Sequence, residues 1–275
     1  MLNPIEGEIF CIDKPLRMTS FAAVKKVRAV LRTHLKTRQV KVGHAGTLDP
    51  LATGVMIVCT GRATKRIDEL QAHTKEYVAT LRLGATTPSF DLEHEIDAYY
   101  PTEHITREQV EQTLQQFLGR IEQIPPAYSA VKVDGKRAYD LARKEKDVEL
   151  KPKILVIDEI ELLDFNLKEE CGVKNEESSL PSLPRTGMRN KAFLTSPAAP
   201  SDGQSYPSIT IRVVCSKGTY IRALARDIGQ ALGSGAHLTA LRRTRVGDVR
   251  VEDCLSMEDF PQWLEAQEIE TPESE

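Results

Sequence analysis

The chain has 275 residues, 40% of them hydrophobic, so it can bury a substantial core as one large domain or two small ones. Its net charge of −3 is unevenly distributed, because residues 252–275 contain nine acidic side chains and no Lys or Arg, which leaves +6 on residues 1–251. A basic body keeps nucleic-acid binding open, and no apolar run is long enough to span a membrane.

The cysteines and histidines argue against a metal site. The five cysteines lie far apart, are odd in number and lack the CxxC spacing of a zinc site, and the six histidines are dispersed. The N-terminus also lacks a basic region followed by an apolar one, so no secretory signal is visible. These features predict a cytoplasmic protein with reduced thiols and no metal.

The first predicted elements are a strand over residues 8–12 and a helix that follows the turn at 13–15. Ser20 is the predicted N-cap of this helix. Its core-facing residues fall at helical spacing and are Val24, Val27 and Leu31. The remaining faces carry four cations, Lys25, Lys26, Arg28 and Arg32. A basic amphipathic helix of this kind is most often an ordinary surface helix.

Residues 41–66, KVGHAGTLDPLATGVMIVCTGRATKR, predict a glycine-rich loop followed by a short buried strand. Pro50 fixes its own φ and pushes Asp49 out of the α region, while Gly46 and Gly54 permit positive φ or a close backbone approach. We therefore expect the Asp49 carboxylate to lie on a stiff, exposed turn. For an isolated Asp-Pro pair, the simpler interpretation is an Asx-type turn without chemistry.

The middle of the chain predicts a half-buried strand and a capped helix. Residues 76–84 alternate, with Tyr77 on the apolar face. Thr106 and Gln109 form a capping box for a helix that Gly119 ends. Residues 124–150 then combine an Asp-Gly turn, cations and two interleaved tyrosines. This combination is typical of a surface that binds unstacked bases and phosphates. It is also compatible with a plain hairpin followed by a surface helix.

The last third predicts two strands, a long insertion and a helix. Residues 154–165 and 208–215 are strand-like, and the proline- and serine-rich stretch 166–207 between them predicts a disordered insertion at a hairpin tip. A helix then follows Thr219, its predicted cap, and ends near Gly233. Arg222 in its first turn opposes the helix dipole, so a facing carboxylate is expected there.

Several of these stretches resemble motifs of the TruB family of tRNA pseudouridine synthases. GHAGTLDPLATG resembles the central motif of the family, and DKPxxMTS resembles its first motif, although the family usually has Gly where this chain has Arg17. The stretch around Tyr77 resembles KxYxAxxxLG. Residues 215–247 resemble the motifs CSxGTYIRxL and GAHxxxLRR. The resemblance covers roughly residues 8–250, apart from the insertion.

The resemblance implies roles for seven residues of this sequence. Asp49 would be the catalytic nucleophile, with Tyr77 and Arg222 as further catalytic residues. The expected substrate-binding residues are His44, Tyr220, Leu241 and Lys14. The reaction adds no water and transfers no electrons, so no cofactor is expected. The expected substrate is uridine 55 in the T loop of tRNA, bound through the T-arm stem-loop by a chain acting as a monomer without an obligate protein partner.

The resemblance also implies the architecture. We expect an α+β (α/β mixed) pseudouridine synthase fold with a central mixed, mostly antiparallel sheet flanked by helices and loops. Residues 1–250 would form the catalytic domain, with an RNA-gripping thumb at about 124–150 and the disordered insertion at about 166–207. Residues 251–275 would be an acidic C-terminal tail, too short for the complete PUA domain with which bacterial members commonly end.

Two other functions fit parts of the sequence. An RNA-binding module or folding helper could use the same pocket without catalysis, but the presence of Asp49, Tyr77 and Arg222 together argues against it. A nucleotide-binding phosphotransferase could use the glycine-rich loop, but the loop lacks the GxxxxGK[ST] pattern and its lysine.

Overall fold

The computed structural model describes residues 1–37, 39–129, 150–166 and 206–270, and the backbone of Lys132–Val133 and Lys136–Arg137. Its helices are α1 (Ser20–His34), α2 (Ile67–Ala72), α3 (Arg107–Gln115), α4 (Ile221–Ala231) and α5 (Phe260–Glu265). Its strands are β1 (Ile9–Lys14), β2 (Val42–Ala45), β3 (Ala52–Thr60), β4 (Lys75–Leu83), β5 (Ala85–Thr86), β6 (Ala98–Tyr99), β7 (Gly119–Gln123), β8 (Lys132–Val133), β9 (Lys136–Arg137), β10 (Lys153–Asn166), β11 (Ser208–Cys215), β12 (Ala236–Val246), β13 (Val249–Arg250) and β14 (Leu255–Ser256). Two 3-10 turns cover Gly61–Arg66 and Val251–Asp253.

Ten of the described strands form one mixed sheet. Its order is β14-β1-β3-β12-β4-β11-β10-β7, with β2 added to β3 and β13 to β12. The pairs β1–β14 and β3–β12 are parallel, and the other pairs in this sheet are antiparallel. The predicted fold class, a mixed and mostly antiparallel sheet flanked by helices, is confirmed.

The alternation of residues 76–84 produces the expected strand. In β4 the side chains of Tyr77, Ala79, Leu81 and Leu83 are all buried, and they pack in one cluster with α3 and α4. The capping box of α3 is also confirmed, with both reciprocal bonds between Thr106 and Gln109 present. The central strands therefore hold one large core on the face that carries α4.

The caps of α1 and α4 differ from the prediction. Thr19 caps α1, because its backbone is extended and its hydroxyl accepts from the Ala22 N–H, whereas Ser20 is already helical. The Ser20 hydroxyl instead accepts from the Leu48 N–H and donates to the Leu48 carbonyl, both at 2.9 Å. Thr219 does not cap α4, since its hydroxyl donates to the Ser216 carbonyl and the N-cap is Tyr220.

The segment that we delimit as an acidic tail packs on the core up to its last described residues. Leu255 and Ser256 pair with β1, and Met257, Phe260 and Leu264 are buried against α1. The acidic side chains lie between these apolar positions, for example the exposed Glu258 and Glu265. Residues 251–270 are therefore part of the fold.

Two sequence predictions lie largely outside the described residues. Of the thumb at 124–150, the structure describes residues 124–129, the short hairpin β8–β9 and residue 150. Of the insertion at 166–207, it describes only the ends, where β10 and β11 pair up to Asn166 opposite Ser208. Both remain predictions.

Candidate active site

The loop between β2 and β3 carries Asp49 at the centre of the sheet. Gly46 has φ 99°, in the left-handed region that favours glycine. Gly54 permits a close approach, because a Cβ at this position would lie 2.1 Å from the backbone oxygen of Arg243 on the neighbouring β12. The Asp49 carbonyl accepts from the Ala52 N–H at 3.1 Å, and the Asp49 side chain is 38% exposed.

Arg222 holds this carboxylate from the first turn of α4. Its Nε donates to Asp49 Oδ2 at 2.9 Å, while its two Nη atoms donate to the Ser89 carbonyl at 3.1 Å and the Tyr128 carbonyl at 2.9 Å. The side chain is only 5% exposed. The facing carboxylate that the sequence led us to expect is therefore present, and it offsets the unfavourable placement of a cation at a helix N-terminus.

Asp91 is a second carboxylate at Arg222 that the sequence analysis missed. Its Oδ2 lies 3.7 Å from Arg222 Nε, and the side chain is almost fully buried. The preceding residue, Phe90, has φ 61°, a conformation rarely adopted by a residue with a side chain, and its carbonyl accepts from the Leu238 N–H. The burial of Asp91 could not be predicted from the sequence, because Asp91 stands in a run of acidic residues that resembles a solvated loop.

A small cavity, open to solvent, lies beside the carboxylate. Its lining combines Asp49, Asp91 and Arg222 with six apolar side chains, Leu51, Ala52, Leu92, Leu238, Ala240 and Leu241. Thus three of the predicted site residues, Asp49, Arg222 and Leu241, line one space. A charged end and apolar walls suit a flat, partly polar ring that must be kept out of water.

Tyr77 lies in the core behind this cavity, next to a buried arginine. Burial raises the pKa of the Tyr77 hydroxyl, and the neighbouring Arg243 guanidinium acts in the opposite direction. Arg243 is 1% exposed, and it donates to the Val55 carbonyl at 2.7 Å and the Gly46 carbonyl at 3.2 Å. Arg243 was not singled out from the sequence, although it belongs to the GAHxxxLRR stretch, and it braces both sides of the Asp49 loop.

His44 and Tyr220 flank the site. His44 is half-buried in β2, and burial together with Arg243 lowers its pKa, so the ring is neutral at pH 7. The backbone of Tyr220 is clamped by Gln123, which accepts from its N–H at 2.9 Å and donates to its carbonyl at 3.2 Å. Burial raises the pKa of the Tyr220 hydroxyl, and the Asp49 charge adds to this effect.

Lys14 is not placed for the direct substrate contact that was expected. The side chain is fully buried, and its ammonium donates to the carbonyls of Pro15 at 2.9 Å, Met18 at 2.7 Å and Pro50 at 3.5 Å. Burial lowers the pKa of Lys14 to about 8, and Asp49 opposes this shift. In this structure Lys14 holds the turn after β1 against the loop that carries Asp49.

The turn after β1 also contains the departure from the family pattern. Arg17 has φ 64°, in the left-handed region where glycine is unstrained, and its N–H donates to the Pro50 carbonyl at 2.8 Å. The turn therefore keeps a glycine-like conformation with an arginine in place. Its contact with Pro50 joins it to the Asp49 loop.

Two family models match the chain. Residues 32–178 match the TruB family pseudouridylate synthase N-terminal domain, and residues 222–273 match the tRNA pseudouridylate synthase B C-terminal domain. The second match includes the segment that we delimit as an acidic tail. In the described part of the chain, no helix is long and apolar enough to cross a membrane.

Curated relatives match over nearly the whole chain. The tRNA pseudouridine synthase B of Phocaeicola vulgatus is 64% identical over 98% of each chain. That of Bacteroides fragilis is 60% identical over 98% of this chain and 99% of the relative, and that of Mycobacterium bovis is 38% identical over 92% and 71%. At these levels of identity and coverage, the relatives share one family with this chain.

Solved structures add a similarity of fold. A chain of a Cbf5-Nop10-Gar1 complex matches with a TM-score of 0.58 and 25% identity, over 95% of this chain and 55% of that chain. This chain thus spans little more than half the length of that neighbour. The similarity agrees with the mixed sheet described above.

Proposed function

The chain belongs to the TruB family of pseudouridine synthases, and on that premise we propose that it converts uridine 55 in the T loop of tRNA to pseudouridine with Asp49 as nucleophile. The observation that carries this proposal is the half-exposed Asp49 carboxylate, which opens into a cavity while the buried Arg222 fixes its orientation at 2.9 Å. A carboxylate that only stabilised a turn would not need a buried guanidinium.

The reaction requires a nucleophile and a protected space. The N1–C1′ bond of uridine breaks, the uracil turns, a C5–C1′ bond forms, the proton on C5 leaves, and N1 ends protonated. The Asp49 carboxylate can attack C1′ of the sugar or C6 of the base, and either route returns it unchanged. The detached ring would turn at the cavity beside the carboxylate, where the apolar side chains can contact it.

The other residues would bind and orient the base. Leu241 would contact one face of the uracil in the cavity. Tyr77 is buried and does not line the cavity, so its proposed part in removing the C5 proton requires the ring to become accessible when the base binds. The neutral His44 and the clamped Tyr220 would hold the nucleotide outside its stack, since the reacting atoms are inaccessible while stacked. We assign Lys14 a positioning role, because its ammonium is occupied by backbone carbonyls.

We propose tRNA as substrate because the relatives that match over nearly the full chain bear the name tRNA pseudouridine synthase B. The T arm would supply the contacts, and the chain would act in the cytoplasm as a monomer. Purified protein with a tRNA transcript as the sole macromolecules should therefore form pseudouridine.

Asp49→Asn tests the central assignment. The substitution keeps the shape and most turn hydrogen bonds but removes the attacking charge, so pseudouridine formation should fall by about 10³-fold or more while tRNA binding survives. Turnover is measured by tritium release from tRNA labelled at C5 of uridine, and binding by filter retention. Asp68→Asn, the same change at an exposed position of α2, is the matched control and should leave both values unchanged.

The opposite result is easy to recognise. Substantial turnover by a folded Asp49→Asn protein would refute Asp49 as the nucleophile, once mass spectrometry has excluded deamidation back to Asp. Loss of folding with no specific loss of chemistry would support the turn-stabilising interpretation. The position of the new pseudouridine in the tRNA, mapped on the product of the unchanged chain, tests the choice of uridine 55.

A further inference from the structure

The segment between Asp13 and Asp49 has an unusual charge. These 35 residues contain no acidic side chain and nine cations, Lys14, Arg17, Lys25, Lys26, Arg28, Arg32, Lys36, Arg38 and Lys41. The whole chain carries a net charge of −3, so this segment is strongly cationic against an acidic background. Such a local excess of one sign marks a surface for a polyanion if the cations are exposed and unpaired.

Four residues of the segment form a stripe along α1. Phe21, Lys25, Arg28 and Arg32 are spaced by four, three and four residues, which places them on one side of the helix. We call this set the α1 stripe. Phe21 is 61% exposed, and the Lys25 ammonium lies 4.6 Å from the centre of its ring. Lys25 and Arg32 are exposed and Arg28 is half-buried, so an aromatic ring and two cations are presented together to solvent.

The stripe lacks the acidic partners that several surface arginines have. Arg62, Arg66 and Arg107 each pair with a glutamate within 3.0 Å. In contrast, among the residues that the structure describes, no carboxylate forms a salt bridge with a cation of the α1 stripe. An ordinary solvated helix face would intersperse charges of both signs, so the absence of acids over this length needs another reason.

The α1 stripe begins beside the candidate active site. Ser20, which precedes Phe21, exchanges two hydrogen bonds with Leu48 in the Asp49 loop. Further along, Arg28 Nη2 donates to the Val42 carbonyl at 2.9 Å, on the strand that leads into the same loop. From Phe21 to Arg32 the helix rises by about 17 Å. The stripe thus extends from the edge of the catalytic loop over a distance of several nucleotides.

We propose that the α1 stripe binds the RNA strand that flanks the target nucleotide, with Lys25 and Arg32 on phosphates and Phe21 stacked on an unpaired base, while Arg28 holds the helix against β2. This inference rests on the proposed function for the identity of the RNA. Phosphates account for the cations, and an unstacked base accounts for the exposed ring next to them. The N-terminal family match begins at residue 32, so Phe21, Lys25 and Arg28 lie outside it.

Adjacent lysines provide a matched test of the phosphate contacts. Lys25 lies in the stripe, whereas Lys26 is also exposed but lies about 100° further around the helix. Binding of a tRNA transcript is measured by filter retention at several salt concentrations. Lys25→Ala and Arg32→Ala should each weaken binding and reduce the slope of log K against log salt concentration by about 0.7 to 0.9, the value for one lost phosphate contact. Lys26→Ala should leave affinity, slope and turnover unchanged.

The role of Phe21 is tested by a loss of affinity without a change in the salt dependence of binding. Phe21→Ala should weaken binding by about fivefold or more, as expected for one lost stacked base, with an unchanged salt slope. Phe21→Tyr should restore the affinity, because it retains the ring. A purely structural role for Phe21 would instead lower the melting temperature of Phe21→Ala.

The proposal and the proposed function can fail separately. If Lys25→Ala and Lys26→Ala change binding equally, or neither changes it, the RNA-binding role of the α1 stripe is refuted, even when the unchanged chain forms pseudouridine. If binding depends on the stripe but no tritium is released from tRNA by the unchanged chain, the proposed function fails and the stripe stands as an RNA-binding surface.

Discussion

At the scale of single residues, the buried guanidinium of Arg222 joins four parts of the chain. It contacts Asp49 in the catalytic loop, Asp91 in the loop after β5, and the carbonyls of Ser89 and Tyr128. A planar fork of five N–H donors can meet these acceptors at once, and an ammonium cannot. Removing such a buried partner is costly, since it leaves the other charges unpaired.

Arg222→Lys should therefore be nearly as damaging as loss of the nucleophile. We expect turnover to fall by about 100-fold or more and the free energy of unfolding to fall by about 3 kcal/mol, as for a broken buried ion pair. Single-turnover tritium release and urea denaturation measure the two effects. Arg107→Lys makes the same change in an exposed pair with Glu111 and should alter neither, because such pairs contribute little. Full turnover by Arg222→Lys would contradict the orienting role.

Part of this site could be predicted from the sequence, and part could not, for physical reasons. Arg222 was predicted to face a carboxylate because a cation in the first turn of a helix is unfavourable. Asp91 could not be found in this way, since its acidic neighbours suggest a solvated loop and its burial depends on the strained backbone at Phe90. The burial of Lys14 was equally hidden, because it arises from carbonyls of three loop residues that only the fold brings together.

At the scale of elements, the C-terminal helix α5 packs against α1. Phe260 and Leu264 are fully buried, and the Phe260 ring meets Phe10 edge to face with centroids 5.4 Å apart. These contacts form a core separate from the one beneath the active site. The segment 251–270 thus supports the helix that carries the α1 stripe.

Phe260→Ala should accordingly destabilise the protein by about 3 to 5 kcal/mol, through lost burial and the cavity left behind. The midpoint and slope of urea denaturation measure this change. Leu163→Ala, which shortens an exposed apolar side chain in β10, is the control and should cost less than about 0.5 kcal/mol. A Phe260→Ala protein as stable as the unchanged chain would mean that residues 251–270 do behave as a tail.

Periodicity predicted the central elements well and the chain ends less well. The strict alternation of β4 and the capping box of α3 are local signals, so they survive in the fold. In residues 251–270 the apolar positions Met257, Phe260 and Leu264 do fall at helical spacing, but the many acidic residues around them led us to predict an exposed tail. Their burial requires α1 as a partner, which a local pattern cannot supply.

At the scale of the whole molecule, charge is segregated along the chain. The cations of residues 14–48 include the α1 stripe, while the acidic residues of 252–270 surround the apolar positions that pack against the buried side of α1. The same helix therefore has a cationic outer surface and an acidic segment behind it. An RNA would be attracted to the outer surface and repelled from the C-terminal segment, which favours one direction of approach.

Replacing residues 167–205 tests whether the fold depends on this insertion. Its sequence lacks a core-forming pattern, and the flanking strands pair up to Asn166 opposite Ser208, so a short bridge can join them without moving either strand. Replacing 167–205 by about eight Gly and Ser residues should leave turnover unchanged and raise the free energy of unfolding by about 1 kcal/mol, from the shorter loop. Asn166 and Tyr206 are kept, because the Tyr206 ring packs on Tyr99 and Arg82. A variant with the same 39 residues in shuffled order is the control and should match the unchanged chain in melting temperature and tritium release. If the bridged and shuffled proteins both lose several degrees or most turnover, the native order of this segment makes specific contacts and the prediction is wrong.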